Sequence, residues 1–249
     1  MPNILILGGT TEASALAQAL AVRGDRAVLS YAGRVAHPKV QPVPTRIGGF
    51  GGAAGLADYL RKESVTHLVD ATHPFAAQMS GNAVEAAAAT GTPLIALTRP
   101  GWSAEPGDDW RHVESVEAAV AMLAGPRRKV MLALGRMHVA AFVAQPQHRY
   151  LLRFVDAPDG HPELPDHHLV VDRGPFDVAG DVALMREHAI DLVVCKNAGG
   201  TGAQAKLIAA RQLAIPVLMI DRPILAERPR VDAVPDVLRW IDHAADRGV

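Results

Sequence analysis

The chain of 249 residues is long enough for one large α/β domain or two small ones, each with its own hydrophobic core. Hydrophobic residues make up 49% and charged residues 20% of the sequence, which excludes a disordered or fibrous chain. The formal net charge of −1 creates no overall field that would attract nucleic acid or anionic lipid, so neither a nucleic-acid nor a membrane partner is expected.

The cysteine content and the N-terminus indicate the compartment. Cys195 is the single cysteine, which excludes an internal disulfide framework and suits a reducing environment. Residues 1–9 lack the basic region and the long apolar core of a signal peptide, and no apolar run approaches the length of a membrane span. We therefore expect a cytoplasmic protein. The sequence does not define its oligomeric state, and a monomer is one option.

Short apolar runs, glycine- or proline-bearing turns and alanine-rich segments alternate along the chain. Such alternation predicts parallel strands joined by helical crossovers. The predicted strands are Ile4–Leu7, Ala27–Ser30, His67–Asp70, Leu94–Leu97, Val130–Leu134, Tyr150–Val155, Leu192–Cys195 and Val217–Ile220. The predicted helices, whose apolar residues recur at three- and four-residue spacing, are Glu12–Val22, Ala53–Lys62, Ala76–Ala89, Val116–Leu123, Val178–His188 and Gln204–Leu213.

One pattern occurs twice. A strand, a polar turn, a helix and a second strand that ends in Arg-Pro cover residues 67–100 and again residues 192–223. Convergence between buried apolar strands is one explanation, but two similar halves explain the repeat more simply. We predict an α/β protein of two Rossmann-like halves, residues 1–101 for a nucleotide and residues 111–249 for a substrate, with mostly parallel sheets and a ligand cleft between them.

The first strand leads into a candidate phosphate-binding turn. Glycine lets the backbone approach a pyrophosphate, and the free N–H groups at a helix start attract anions. The turn departs from the full G-x-G-x-x-G pattern, because Thr10 and Ala13 stand where glycines are expected. Simple helix capping by a threonine is the alternative explanation. The residues assigned to the cofactor here are Gly8, Gly9, Thr10, Thr11 and Glu12.

The end of the second strand indicates which dinucleotide is used. NAD enzymes usually place an acidic residue there for the ribose 2′-hydroxyl. Here the chain has Ser30 and, after a glycine, Arg34, and a guanidinium suits a 2′-phosphate. These two residues therefore predict NADPH, although Arg34 could also be a solvated loop residue.

Two further segments are candidate ligand contacts. Gly49 and Phe50 lie in a glycine-rich loop that could follow a flat ligand or could simply be flexible. The segment Asp70-Ala71-Thr72-His73 follows a predicted strand, and ligands of open α/β sheets bind at the carboxyl ends of strands. We assign Gly49, Phe50, Asp70, Ala71 and Thr72 to the cofactor. His73 could act as an acid or a positioning donor, although a lone histidine before proline is more often structural. No metal site is expected, because Asp166, His167 and His168, together with His161, are assigned to a proline-rich loop without helical or strand spacing.

Over essentially its whole length the chain resembles the precorrin-6A reductases of cobalamin synthesis. The segments that carry the resemblance are Leu7–Glu12, Ala32–Arg34, Gly48–Gly52, Asp70–Ala76, Arg173–Phe176, Lys196–Gly200 and Arg222-Pro223. The resemblance implies hydride transfer from NADPH to a carbon–carbon double bond of a corrin precursor, followed by addition of a proton to the neighbouring carbon. It makes His73 and Lys196 the catalytic candidates.

The implied substrate is a tetrapyrrole that carries acetate and propionate groups, so its site should combine apolar walls with basic and polar groups. The candidates, mostly at predicted strand ends, are Arg99, Arg136, Arg153, Arg173, Asn197, Gly199, Gly200, Thr201, Lys206 and Arg222. Three alternatives remain: a reductase of the cobalt-containing precursor, a regulator that binds NADP(H) without chemistry, and a sugar-nucleotide enzyme. The last is disfavoured, because no tyrosine is followed by lysine four positions later.

Overall fold

The computed structural model describes residues 1–32, 40–154, 160, 163–172 and 176–246. The chain divides into two compact units. Unit 1 contains Met1–Pro100 together with Ile224–Val249, and unit 2 contains Gly101–Pro223. The two-part α/β organisation is thus confirmed, but the C-terminal segment lies in unit 1 and not, as predicted, in the second half.

Unit 1 is built on a six-stranded sheet of order β12-β5-β4-β1-β2-β3, and every described pairing in it is parallel. Its strands are β1 (Asn3–Leu7), β2 (Arg26–Tyr31), β3 (Thr45–Ile47), β4 (His67–Asp70), β5 (Leu94–Leu97) and β12 (Arg230–Val231). Its helices are α1 (Thr11–Arg23), α2 (Gly52–Lys62), α3 (Ala77–Thr90) and α7 (Val234–Asp246).

Unit 2 repeats this plan with a six-stranded parallel sheet of order β6-β11-β10-β7-β8-β9. Its strands are β6 (Trp110–Val113), β7 (Lys129–Ala133), β8 (Arg149–Phe154), β9 (His167–Val171), β10 (Leu192–Lys196) and β11 (Val217–Ile220). Its helices are α4 (Val116–Met122), a 3₁₀ helix (Arg136–Ala144), α5 (Val178–Glu187) and α6 (Ala205–Gln212). β9 corrects one expectation, because His167 and His168 were assigned to a loop.

The packing of unit 1 explains why the C-terminal segment belongs to this unit and not to the second half. β12 pairs with β5, with Arg230 opposite Ala96. Val237 and Ile241 of α7 are fully buried in the same core as Ile6 and Leu16. The apolar face of this helix therefore completes the core of unit 1, which the order of the chain alone did not indicate.

Both sheets have the strand order of a Rossmann fold, in which the order of the parallel strands reverses at one point. The reversal lies between β1 and β4 in unit 1 and between β7 and β10 in unit 2. Fully buried β1 and β4 fix the residues that follow them at the carboxyl edge of the sheet. Ligands of such sheets bind at this crevice, so each unit has one expected site. Among the described residues, no helix is long and apolar enough to cross a bilayer.

Candidate functional site

The glycine turn of unit 1 lies between β1 and α1. Gly9 has a φ of +123° and open space at its Cβ position, so the turn both requires glycine and leaves room beside the backbone. Thr10 is the N-cap of α1: its Oγ1 accepts from the N–H of Ala13 at 3.1 Å and donates to the carbonyl of Ala71 at 2.8 Å. Capping is thus the observed role of the Thr10 hydroxyl.

Glu12, in the first turn of α1, forms an ion pair with Arg99. Arg99 Nη1 lies 2.8 Å from Glu12 Oε2, and both side chains are largely buried. Burial raises the pKa of Glu12, but a bond from its own backbone N–H and the Arg99 charge outweigh that effect, so the pKa lies below its ordinary value. Arg99 was predicted to hold substrate, and the structure gives its guanidinium this internal partner instead.

Arg46, which the sequence interpretation missed, organises the loop after β3. Its guanidinium donates to Ser30 Oγ at 2.9 Å, to the Gly48 carbonyl at 2.8 Å and to the Gly49 carbonyl at 3.1 Å. It also lies 3.8 Å from the centre of the Phe50 ring. Arg46 therefore brings Ser30, Gly49 and Phe50 together. The position of this arginine just before the glycine run was the available signal.

Asp70 occupies the buried end of β4. Its Oδ1 accepts from the Thr72 hydroxyl at 2.7 Å, and its Oδ2 accepts from Ser80 at 2.7 Å and from Arg228 at 2.9 Å. The side chain is 1% exposed. A carboxylate surrounded by internal donors has a structural role, so Asp70 and Thr72, which were assigned to the cofactor, stabilise the end of β4 instead. Ala71 contributes its carbonyl to Thr10 and has no exposed side chain.

His73 lies in the turn between β4 and α3. Its Nδ1 accepts from the N–H of Phe75 at 3.2 Å, and its carbonyl accepts from Ala76 at 2.7 Å. The centroids of the His73 and Phe75 rings lie 5.9 Å apart. Because Nδ1 acts as an acceptor, a neutral ring carries its proton on Nε2. His73 is half-buried at the carboxyl edge of unit 1, which agrees with the predicted place but gives the ring a turn-forming contact.

In unit 2 the crevice between β7 and β10 holds a lysine–histidine contact. Lys196, the last residue of β10, places its Nζ 2.6 Å from Nε2 of His138 on the 3₁₀ helix. Both residues are half-buried. His138 was not predicted, since 58 residues separate it from Lys196 and no motif links the two.

Asn197 and Arg222 have internal partners. The Asn197 side chain accepts from the Trp102 N–H at 2.7 Å and donates to the Trp102 carbonyl at 3.0 Å. Arg222 donates to the carbonyls of Asn197 at 2.9 Å and Ala198 at 3.1 Å. Both were predicted to hold substrate, and the structure shows that they tie the first and last residues of unit 2 to the end of β10.

Arg153 and Lys206 also point inward rather than toward a ligand. Arg153 forms an ion pair with Asp181 in which the two side chains are 6% and 3% exposed, and its guanidinium lies 3.8 Å from the centre of the Phe176 ring. Lys206 is buried, donates to the Ala203 carbonyl and lies 4.7 Å from the Trp102 ring centre. Burial lowers the pKa of Lys206. Burial raises the pKa of the neighbouring Cys195 thiol, which agrees with an inert cysteine.

The remaining candidates are the buried Gly199, several accessible residues, and two residues outside the described part of the chain. Gly199 and Gly200 have φ values of +70° and +78°, and Thr201 is exposed in the loop that follows β10. Arg136 is exposed at the start of the 3₁₀ helix. Arg34 and Arg173 are not among the described residues. Exposed or half-buried groups thus gather at the carboxyl edge of each sheet, while the other predicted charged residues stabilise the interior.

Comparisons with known proteins agree with this architecture. The model of the family described as precorrin-6x reductase CbiJ/CobK matches residues 3–242. A precorrin-6A reductase of Rhodobacter capsulatus is 56% identical, and the alignment covers 100% of both chains. A precorrin-6A reductase of a Sinorhizobium species is 50% identical over 97% of this chain and 93% of its own. A solved structure described as CobK precorrin-6A reductase has a TM-score of 0.92 at 55% identity and full coverage of both chains.

Proposed function

Because this chain belongs to the precorrin-6x reductase CbiJ/CobK family, we propose that it is a precorrin-6A reductase that takes its hydride from NADPH. The observation that carries the assignment of the reaction is the full-length identity of 56% to a precorrin-6A reductase. The choice of NADPH rests on residues of this chain. The cytoplasmic location expected from the sequence is part of the same proposal.

The glycine turn of unit 1 fits the diphosphate of a dinucleotide. Gly9 leaves open space beside the backbone, and α1 starts directly after the turn. Backbone N–H groups at such a helix start favour a negative charge. Gly8, Gly9 and Thr11 would therefore hold the cofactor, while Thr10 fixes the turn and Arg99 offsets the charge of Glu12. When bound, a reduced nicotinamide supplies the hydride.

The residues around Ser30 support a 2′-phosphate on that cofactor. Ser30 is buried, and its Oγ accepts from Arg46 and so helps to hold the guanidinium in place. Arg46 brings a positive charge to the carboxyl end of β3, next to β2. We propose that Ser30, Arg34 and Arg46 form the 2′-phosphate site, with Gly49 and Phe50 beside the adenosine.

The carboxyl edge of unit 2 would take the acidic substrate. Lys196 and Arg136 are basic groups near the crevice between β7 and β10, and the loop after β10 has glycine at positions 199 and 200, where the backbone adopts positive φ values. Basic groups beside apolar walls suit a macrocycle that carries several carboxylates. His73 at the corresponding edge of unit 1 stays a candidate for positioning.

The test is a spectrophotometric assay of the purified chain with precorrin-6A and either NADPH or NADH. Oxidation of NADPH together with loss of the substrate chromophore is the expected result. If NADPH binds but neither precorrin-6A nor its cobalt form is reduced, the chain acts as a nucleotide-binding regulator. Reduction of the cobalt form alone would assign the substrate to the alternative considered from the sequence.

The choice of cofactor is tested with Arg34→Ala and Arg46→Met. An arginine contact with phosphate is charge-assisted, so we expect each change to raise KM for NADPH by about tenfold or more. Arg34→Ala should change KM for NADH little, whereas Arg46→Met should also raise it, but less than KM for NADPH, because Arg46 holds Gly49 and Phe50 as well. Arg26→Met, an exposed arginine at the opposite end of β2, is the control. Equal losses with both cofactors would show that these arginines support the fold and do not read the 2′-phosphate.

A further inference from the structure

The reduction that we propose needs a proton as well as a hydride, and the resemblance leaves both His73 and Lys196 as candidates for its donor. Hydride addition to one carbon of the double bond leaves an electron pair on the neighbouring carbon, which must take the proton. A suitable donor has an N–H or O–H bond, can be reached from the crevice of its sheet and is held in one orientation.

We infer that Lys196 is this proton donor and that His138 is the residue that positions it, an inference that rests on the proposed function. The distance of 2.6 Å between Lys196 Nζ and His138 Nε2 is that of a hydrogen bond. An ammonium has three N–H donors and no acceptor, so the imidazole nitrogen accepts and the histidine is neutral in this contact.

The fold holds both partners at the crevice. Lys196 is the last residue of β10, whose preceding residues Leu192, Val193, Val194 and Cys195 are all buried. His138 lies on a 3₁₀ helix that is anchored in the core by Val139 and Phe142, which are 4% and 0% exposed. β7 and β10 are paired in parallel as far as Ala133 and Cys195. The contact therefore lies where the strand order reverses, and both side chains are half-buried.

The other basic candidates in this part of the chain fit a proton donor less well. Lys206 is buried against Trp102, and Arg153 is paired with Asp181 in the interior. Arginine is also a poor acid, because it does not lose its proton in proteins. Lysine can lose one: the N–H bond of Lys196 breaks, the new C–H bond forms at the substrate carbon, and water returns a proton to the amine.

The charges around His138 determine how the contact responds to pH. Lys196 on β10 faces the ring, and Glu117 on α4 carries the other described charge that the ring can affect: a protonated His138 lowers the pKa of Glu117, after hydrogen bonds from its own backbone and Ser115. A protonated imidazole cannot accept from an ammonium and would repel it. Protonation of His138 should therefore break the contact and reduce kcat on the acid side of the profile.

The test separates a proton donor from a group that merely binds a substrate carboxylate. Lys196→Arg keeps the positive charge, so a binding role predicts nearly wild-type kcat and KM. A donor role predicts that kcat falls by about 100-fold or more while KM changes little. The solvent deuterium isotope effect on kcat should also rise in this variant, because protonation becomes rate-limiting. Lys129→Arg, at the amino end of the neighbouring β7, is the matched control and should behave as wild type.

The role of His138 is tested by His138→Gln and His138→Ala. Glutamine keeps an acceptor for Lys196 but does not titrate. We therefore expect His138→Gln to retain most of kcat and to lose the fall of kcat at acid pH that is attributed to His138. Alanine should lower kcat without altering NADPH affinity, measured separately by fluorescence titration. A wild-type kcat in Lys196→Arg, or an unchanged fall of kcat at acid pH in His138→Gln, would overturn the inference. Absence of reduction by the wild-type chain would instead overturn the proposed function.

Discussion

The Asp70 carboxylate connects distant parts of unit 1 through individual hydrogen bonds. It accepts from Ser80 on α3 and from Arg228 on the chain segment that leads into β12. The Asp70 and Arg228 side chains are 1% and 12% exposed. In such surroundings the loss of one partner is more harmful than the intact pair is beneficial, because the other charge is left without compensation.

We therefore expect Asp70→Ala to lower the free energy of unfolding by about 3–5 kcal/mol. Urea denaturation followed by circular dichroism measures this change. Asp58→Ala is the matched control, since its ion pair with Arg61 is exposed, with side-chain exposures of 81% and 55%. That control should cost less than about 1 kcal/mol. Similar values for the two variants would contradict a central role for the Asp70 network.

The packing of α7 on the sheet of unit 1 depends on His67 at the start of β4. The ring of His67 makes an edge contact with Trp240, with centroids 5.2 Å apart, and its Nδ1 lies 2.8 Å from Thr66 Oγ1. Its buried Nε2 has no hydrogen-bond partner among the described residues. Burial lowers the pKa of His67, because a charged ring would lose its hydration without gaining a partner.

This lowered pKa predicts acid destabilisation. Between the folded pKa and the ordinary value of about 6.5, the unfolded chain binds more protons, so stability falls as the pH falls. The contribution of His67 is fully present above about pH 6.5 and is lost as the pH falls through the folded value. His67→Leu should weaken the loss of thermal stability between pH 7.5 and pH 5. The same loss of Tm in the variant and the wild type would assign the pH dependence to other groups.

The elements that could be predicted from the sequence are those whose own residues determine them. Every predicted strand and helix is present, because runs such as Ile4–Leu7 are buried on both faces and read as continuous apolar segments. β3, β6, β9 and β12 were missed, since each is short or contains polar residues and becomes a strand only by pairing with its neighbour at a sheet edge. α7 had a usable signal, with Val234, Val237, Leu238 and Ile241 at helical spacing.

Around the candidate site, the strand ends could be predicted from the sequence, whereas the contacts of the side chains there could not. Strand ends such as Asp70 and Lys196 were identified correctly, because parallel strands bring their carboxyl ends to one edge. The sequence could not show that Asp70 meets Arg228, since 158 residues separate the two. Nor could it show which arginines point inward, because that depends on partners such as Asp181 that only the fold brings close.

At the scale of the whole chain, each sheet has one edge strand that follows, in the order of the sequence, a strand of the other sheet. β6 follows β5 in the chain but pairs with β11, while β12 follows β11 but pairs with β5. Unit 2 is nevertheless one continuous segment. Its first residues and its last are both tied to Asn197, through Trp102 and Arg222. Unit 1 instead needs two separate pieces of the chain.

This asymmetry predicts how fragments behave. The segment 101–223 contains all of its own sheet and core, so we expect it to unfold cooperatively when expressed alone. The segment 1–100 lacks β12 and α7, and it loses the buried Val237 and Ile241. Each such loss costs on the order of 2–5 kcal/mol, and together they approach the 5–15 kcal/mol that stabilises a typical domain.

We expect 1–100 alone to show no cooperative transition in thermal circular dichroism, whereas 1–100 joined to 224–249 by a flexible Gly/Ser linker should recover one. Binding of NADPH, followed by fluorescence, should return with the transition, since the proposed nucleotide residues all lie in unit 1. The linked protein is the control for simple shortening, because it also lacks residues 101–223. Cooperative unfolding of 1–100 by itself would show that the core of unit 1 is complete without the C-terminal segment.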